Sequence, residues 1–178
     1  MRRVALGYPD ATTEPLWEPP ARFADGTVRG WRSWLVGISR VHGPRLVSYN
    51  GFPRESWPRV IEARCLLECD TLLSPDCSCG VYAFTDFDFC WAEFEEIVAQ
   101  PRPGGKFKDF LVPKAVGEVC GWGRVNLHEH GWRSERAMVR RLWTAAMTPE
   151  HNAALGRFYG VTVRDFEELF REQGMVTP

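Results

Sequence analysis

Residues 115–143, AVGEVCGWGRVNLHEHGWRSERAMVRRLW, carry the clearest pattern in the chain and predict a β-hairpin. Successive side chains on a strand point to opposite faces, so alternate residues of the first half share a face. One face would carry Val119, Gly121, Gly123, Val125 and Leu127, and the other Glu118, Cys120, Trp122, Arg124 and Asn126. The letters HEHG at 128–131 supply the turn. The two glycines inside the strand indicate a bulge, a sharp barrel bend or a close backbone approach.

Shorter strand-like segments precede the hairpin. Residues 31–39 (WRSWLVGIS) and 45–49 (RLVSY) predict two strands separated by turn residues. Residues 58–68 (PRVIEARCLLE) predict a third strand that enters a cysteine-rich stretch, and residues 80–84 (GVYAF) predict a short buried strand that leaves it. The cysteines therefore lie at the junction of two strands.

Three helix starts are indicated by capping signals: Thr85 with Asp88, Thr148 followed by Pro149, and Thr162 with Asp165. In the first helix Phe87, Trp91, Phe94 and Val98 recur at helical intervals ahead of Pro101. The chain thus has one central helix and two C-terminal helices among a majority of strands. We expect an α+β domain whose antiparallel or mixed sheet is strongly bent, or closed into a small β-barrel.

The domain organisation follows from the first residues of the chain. Four prolines before residue 21 interrupt any periodicity, which indicates an extended N-terminal arm over residues 1–28. The remaining residues, 29–178, are enough for one well-packed domain and few for two. We therefore expect a single α+β domain behind the arm.

Composition and charge narrow the function classes. Lys and Arg number 22 against 23 Asp and Glu, so the weak net field argues against a general polyanion binder and leaves a local basic patch open. No run approaches the roughly 20 apolar residues that span a bilayer. The N-terminus lacks the apolar core of a signal peptide. We expect no membrane association and a cytoplasmic location, where thiols stay reduced.

The stretch CLLECDTLLSPDCSCG, residues 65–80, holds four of the six cysteines: Cys65, Cys69, Cys77 and Cys79. Four thiolates can close a tetrahedral site, so structural zinc is the leading interpretation of this C-x3-C-x7-C-x-C spacing. Reduced core thiols, a redox pair or sensor, and a catalytic thiol remain as alternatives. The catalytic alternative lacks a histidine nearby in sequence. We assign the other two cysteines, Cys90 and Cys120, to the core.

Five residues of the hairpin are candidates for binding: Trp122, Arg124, His128, His130 and Arg133. The two histidines are alternate residues and could share a ligand or a proton, whereas a solvated polar turn is the simpler alternative. A tryptophan among arginines is typical of a nucleic-acid stacking surface or of a protein hot spot. The alternative is a core tryptophan with solvated arginines.

The C-terminal residues 153–172 superficially resemble a helix-turn-helix. Their second helix carries four carboxylates against two arginines, an excess that opposes phosphate binding. The sequence contains no Walker loop, nucleophile elbow, H-E-x-x-H motif or dinucleotide fingerprint. Catalysis is therefore the less favoured class, with His128, Glu129 and His130 beside a cysteine as its candidate site.

A set of short segments spread from residue 30 onward points to a family: GWRSW (30–34), LVS (46–48), WP (57–58), ARC (63–65), CSCGVYAF (77–84), WGRVNLHEHGWRSE (122–135) and YGVTV (159–163). In these the chain resembles small proteins of actinobacteria and their phages that carry C-x-C-G-[IV]-Y-A and W-G-x-V-x-x-H-E-x-G-[WY]-R. The resemblance implies a cytoplasmic accessory role in a mobile element or its host and brings no established reaction. Such proteins often have a histidine between the first cysteine and the C-x-C pair, an interval in which this chain has Cys69 and no histidine. If the two are equivalent, the resemblance implies a three-cysteine, one-histidine metal site changed to four cysteines.

The leading hypothesis from the sequence is a non-catalytic, zinc-stabilised interaction domain. Its bent sheet and its aromatic and arginine side chains would bind a protein or a nucleic acid. The alternatives are a DNA-binding transcriptional regulator that uses the C-terminal helices, and an enzyme that uses His128 and His130.

Overall fold

The structure is a computed structural model that describes residues 26–48, 56–65, 72–73, 79–99 and 114–175. Almost all of the predicted arm, and both Cys69 and Cys77, lie outside the described residues. In chain order the elements are β1 (Val28–Ser39), β2 (Gly43–Val47), β3 (Val60–Glu62), β4 (Val81–Phe84), α1 (Phe87–Ala99), β5 (Lys114–His128), β6 (Gly131–Ala145), α2 (Pro149–Tyr159), β7 (Val163–Asp165) and α3 (Phe166–Gln173). Among these elements, no helix is long and apolar enough to cross a bilayer.

The predicted hairpin is present as β5 and β6, and it is the centre of the fold. Its two strands pair antiparallel from Lys114↔Ala145 to His128↔Gly131, around a two-residue turn. The predicted bulge is present: the register shifts between Trp122 and Val125, where Gly123 has φ +85°. A second shift follows Glu118. Bulges increase local twist, so they bend these long strands.

The seven strands form one mixed sheet, which confirms the expected α+β class and the bent sheet. β6 pairs with β7 in parallel and every other pairing is antiparallel. β1 pairs with β5, β5 with β6, β6 with β4, and β4 with β1, so these four strands form a ring. The seam between β4 and β1 has a single residue pair, Trp31↔Phe84. Because this closure is so short, we describe a ring of strands rather than a barrel.

Three short strands share the second edge of β6. β4 pairs with residues 131–134, β3 with residues 136–138 and β7 with residues 142–144, while β5 occupies the opposite edge. The segments before and after the cysteine-rich stretch, β3 and β4, therefore stand end to end against one strand. This order positions the candidate site.

Two apolar clusters lie on the two faces of the sheet. Trp34, Trp132 and Leu142 belong to the cluster inside the ring, which α2 closes through Leu155 and Tyr159. The second cluster lies outside, where Trp143 and Val116 of the sheet meet Phe87, Cys90, Phe94 and Leu169 of α1 and α3. Burial of these side chains, at about 1.5–3 kcal/mol for each large one, is the main source of stability.

Two of the three predicted helix starts are corrected. Thr148 caps α2 as predicted, by accepting from His151 N. Before α1 the acceptor is the Asp86 carboxylate, which takes a hydrogen bond from Asp88 N at 2.7 Å, and not Thr85. Before α3 it is Asp165, which accepts from Glu168 N at 2.9 Å, and not Thr162. The segment predicted as the first turn of α3 is β7, because it pairs with β6.

Candidate functional site

The cysteine-rich stretch leaves and rejoins the sheet at neighbouring residues of β6. Ala63 N donates to Glu135 O at 2.7 Å, and Val81 pairs with Ser134. We call residues 64–80 the cysteine excursion. Cys65 is two residues after Ala63, and Cys79 is two residues before Val81, so both thiols belong to the base of the excursion.

The described part of the excursion is fastened to the hairpin. Leu73 N donates to Cys79 Sγ at 3.0 Å, which ties two of its residues together. Asn126 Nδ2 donates to Leu73 O at 3.2 Å, and Arg133 Nη1 donates to Cys79 O at 3.4 Å. Leu73 is 7% exposed and has φ +63°. Leu73 and Cys79, the residues of the excursion that make these contacts, therefore lie against the distal end of β5 and β6.

The half-buried His128 and the buried Arg133 form a pair next to Cys79. Arg133, only 7% exposed, donates from Nε to His128 Nε2 at 2.9 Å. Burial, and then the positive charge of Arg133, hold the pKa of His128 below its usual value. His128 is consequently neutral near pH 7, and its Nε2 is an acceptor.

His130 has a different environment from His128. Its ring lies 4.2 Å from the ring of Phe89, centroid to centroid, and its Nε2 is 3.7 Å from Glu129 Oε1. Thr85 N donates to His130 O at 3.0 Å and holds the turn against the start of α1. The two histidines thus have separate partners and do not form a joint proton-transfer pair.

Trp122 lies on an open part of the sheet. On β5, Val119 faces the ring interior and Gly121 abuts Trp132, so Cys120 and Trp122 between them point outward. Directly paired residues share a face. The outward residues in register with these two are Arg29 of β1, Met138 and Arg136 of β6, and Val60 and Glu62 of β3. We call these seven residues the outer sheet face.

The outer sheet face lies between two covered regions. The cluster under α1 and α3 is on one side, and the cysteine excursion is on the other. Val60 is 41% exposed, and Trp122, Cys120 and Met138 are half-buried. Cys120 is therefore at the surface and not in the core as predicted, whereas Cys90 is fully buried and its pKa is raised to about 12 by burial.

The arginines of this region are held by carboxylates. Arg124 Nε lies 2.5 Å from Glu135 Oε1, and Arg136 Nε lies 3.2 Å from Glu62 Oε1. Arg141 lies between Glu118 and Glu172, at 3.2 and 2.5 Å. The predicted basic surface is therefore locally neutralised, because carboxylates offset the positive charge of these arginines.

The structure thus distributes the five predicted binding residues over three places. Trp122 and Arg124 belong to or border the outer sheet face, His128 and Arg133 lie beneath the excursion, and His130 is at the hairpin tip. Sequence reasoning missed Arg29, Val60 and Met138, because only the strand order brings them beside Trp122. No signal in their own segments indicates it.

The described residues also bear on two further predictions, the metal site and the helix-turn-helix. Within the described ranges, no three His, Cys, Asp or Glu side chains lie close enough to hold a metal ion, and this set contains only two of the four predicted ligands. α2 and α3 are connected through β7, a strand of the sheet, and Leu169 and Phe170 of α3 are buried. This connection is not the short turn of a helix-turn-helix.

No protein-family model matches the chain, and it matches no curated protein and no solved structure.

Proposed function

We propose that the protein is a non-catalytic interaction domain that binds a partner through the outer sheet face. The observation that carries this proposal is the exposed Val60 beside the half-buried Trp122 and Met138, across neighbouring strands and between two covered regions. A partly accessible tryptophan with aliphatic neighbours and arginine is the composition of a binding hot spot. Single exposed apolar residues need no explanation, but a contiguous group does.

Charge favours a protein over a nucleic acid as the partner. Arg136 and Arg124 are each paired with a glutamate, so they offer little positive field to phosphates. Paired charges at the rim of an apolar group suit a protein interface, where they set orientation. Nucleic-acid binding through Trp122 is the second candidate.

The test uses site-specific photo-crosslinking in cells. We expect p-benzoylphenylalanine at position 138 to give a defined protein adduct that disappears in a Trp122→Ala background. The same photoreactive residue at Val41, 83% exposed in the β1–β2 turn, is the matched control and should give none. Equal adducts from both positions, or adducts insensitive to Trp122→Ala, contradict the proposal. Salt-dependent binding of random-sequence single-stranded DNA that requires Trp122 would favour the second candidate.

We also propose that structural zinc, bound by Cys65, Cys69, Cys77 and Cys79, stabilises the excursion. Two observations support it: the ends of the excursion are adjacent on β6, and a backbone N–H donates to Cys79 Sγ. The N–H···S bond fixes the position of the Cys79 sulfur, and hydrogen bonds of this kind orient the ligands of metal sites. When bound, zinc would supply a cross-link that fixes the base of the excursion.

Metal analysis of protein purified without chelators tests the zinc proposal. We expect close to one equivalent of zinc, retained in Cys120→Ser and lost in Cys65→Ser. Cys120 is a suitable control because it lies on the outer sheet face and outside the ligand set. A folded sample with less than about a tenth of an equivalent would contradict it.

We further propose a cytoplasmic location and an accessory role of the actinobacterial and phage type. The resemblance in the CSCGVYAF and WGRVNLHEHGWRSE segments supports this role, and metal-binding thiols require a reducing compartment. Quantitative alkylation of the thiols in freshly lysed cells, after zinc removal, is the expected result. Disulfides already present at lysis would contradict a cytoplasmic location.

A further inference from the structure

The outward side of α1 is a helix face that no described element covers. Phe87, Cys90 and Phe94 are buried against the sheet and α3. On the opposite side Asp88 and Phe89 are exposed. This surface is separate from the outer sheet face.

The apolar part of this surface is built by two elements. Phe89 is 46% exposed, and its ring lies 4.2 Å from that of His130 at an interplanar angle of 33°. The Thr85 N–H donates to His130 O and fixes the hairpin turn against the helix start. The core already has Phe87 and Phe94 from the same helix, so packing alone does not require an aromatic residue at position 89.

The surroundings of this aromatic pair are strongly acidic. Residues 85–100 contain five Asp and Glu and no Lys or Arg. Asp88 adjoins Phe89 in sequence and is exposed, and Glu129, beside His130, has a side chain that is 73% exposed. The whole chain carries almost equal numbers of acids and bases, so this is a local excess and not a general property.

We propose that this surface, Phe89 and His130 with Asp88 and Glu129, binds a Lys- and Arg-rich segment of a partner protein. A cationic side chain is attracted to the face of an aromatic ring, and adjacent carboxylates strengthen that attraction. The same carboxylates repel phosphates, which excludes nucleic acids and anionic membranes as occupants. Charge complementarity therefore selects a basic peptide.

The chain itself contains a competing occupant. Arg102, Lys106 and Lys108 follow α1 in the sequence and lie outside the described residues. If they occupied the surface, removal of their charges would expose it and strengthen binding of an added peptide. The experiment separates the two occupants on this basis.

The experiment is a fluorescence anisotropy titration with a labelled octalysine peptide at low salt, using the full chain. We expect saturable binding that Phe89→Ala weakens about threefold, in line with roughly 0.5–1 kcal/mol for an exposed cation–π contact. Adding Asp88→Asn and Glu129→Gln should raise the loss to about tenfold. The matched control Glu167→Gln removes an exposed carboxylate from α3 and should change the affinity little. Labelled oligo-dT should not bind.

Each contrary outcome overturns the proposal. Equal weakening by Glu167→Gln and by the Phe89 variant would indicate general electrostatic attraction without a site. An affinity that rises tenfold when Arg102, Lys106 and Lys108 are all replaced by Ser would make the occupant the chain itself. Unchanged thermal melting of Phe89→Ala is expected, because its ring is half-exposed, and it shows that the variant is folded. Peptide binding at Phe89 does not involve Trp122, so its failure would leave the proposal for the outer sheet face unaffected.

Discussion

At the scale of single residues, Arg133 joins three parts of the chain through one side chain. Its guanidinium donates to His128 at the end of β5 and to Cys79 at the end of the excursion. A buried arginine has no acceptor function, so the histidine must accept and must therefore be neutral. The integrity of this contact consequently depends on the protonation state of His128.

The first prediction concerns that dependence. The folded protein lowers the pKa of His128 below the usual histidine value of 6.5. As the pH falls through that value, the unfolded chain takes up a proton that the folded protein resists, so stability is lost until the folded pKa is reached. Above that window this contribution is fully present. We expect the free energy of unfolding in urea to fall between pH 7.5 and 5 more steeply for the wild type than for His128→Gln.

The glutamine variant is the appropriate comparison because its side-chain oxygen can still accept from Arg133 and does not titrate. All other ionisable groups are common to both proteins, so the difference between the two pH profiles isolates His128. Parallel profiles would show that His128 titrates normally in the folded protein.

At the scale of elements, the start of α3 tests where the helix begins. Asp165 accepts from Glu168 N, and loss of such a cap costs about 1 kcal/mol. We expect Asp165→Ala to lower the free energy of unfolding by that amount. Thr162→Ala is the matched control, because Thr162 is exposed and precedes β7, and it should be near neutral. If chemical denaturation showed Thr162→Ala to be more destabilising than Asp165→Ala, the capping box predicted from the sequence would be correct.

This case shows which elements a sequence can specify. The β5–β6 hairpin was predictable because its two-residue turn and its alternation are local. β7 was not, since three residues carry too little pattern, and its partner Leu142 is about twenty positions away in the chain. The position of the helix cap depends on β7 as well. Because residues 163–165 pair as a strand, Thr162 cannot start a helix and the N-cap of α3 is Asp165.

The candidate site shows the same limit. The cysteines and Trp122 stand out by residue type, so the sequence indicates them. Their neighbours do not, because the place of β3 beside β6 determines that Val60 joins Trp122 on one face. The His128–Arg133 contact likewise requires the hairpin register, five residues apart around the turn.

At the scale of the whole molecule, the ring of strands is closed unevenly. β5 pairs along much of both β1 and β6, whereas β1 and β4 meet at one residue pair. Few hydrogen bonds hold this seam, so local opening should begin there. The seam also adjoins both the cysteine excursion and α1, because β4 returns the excursion to β6 and leads directly into α1.

The last prediction tests the seam with a matched pair of glycines in β1. A Cβ at Gly30 would collide with Phe84 O and lie 2.6 Å from Trp132 Nε1, whereas at Gly37 it would meet only the Val47 Cγ2 methyl, at 3.1 Å, as its nearest neighbour. A backbone carbonyl and a buried indole cannot yield as a terminal methyl can. We expect Gly30→Ala to cost about 1–3 kcal/mol, clearly more than Gly37→Ala. Hydrogen exchange should accelerate in β4 for Gly30→Ala alone, since only this variant forces the ring open at β1 and β4. Equal costs with unchanged exchange in β4 would mean that the seam contributes little to stability.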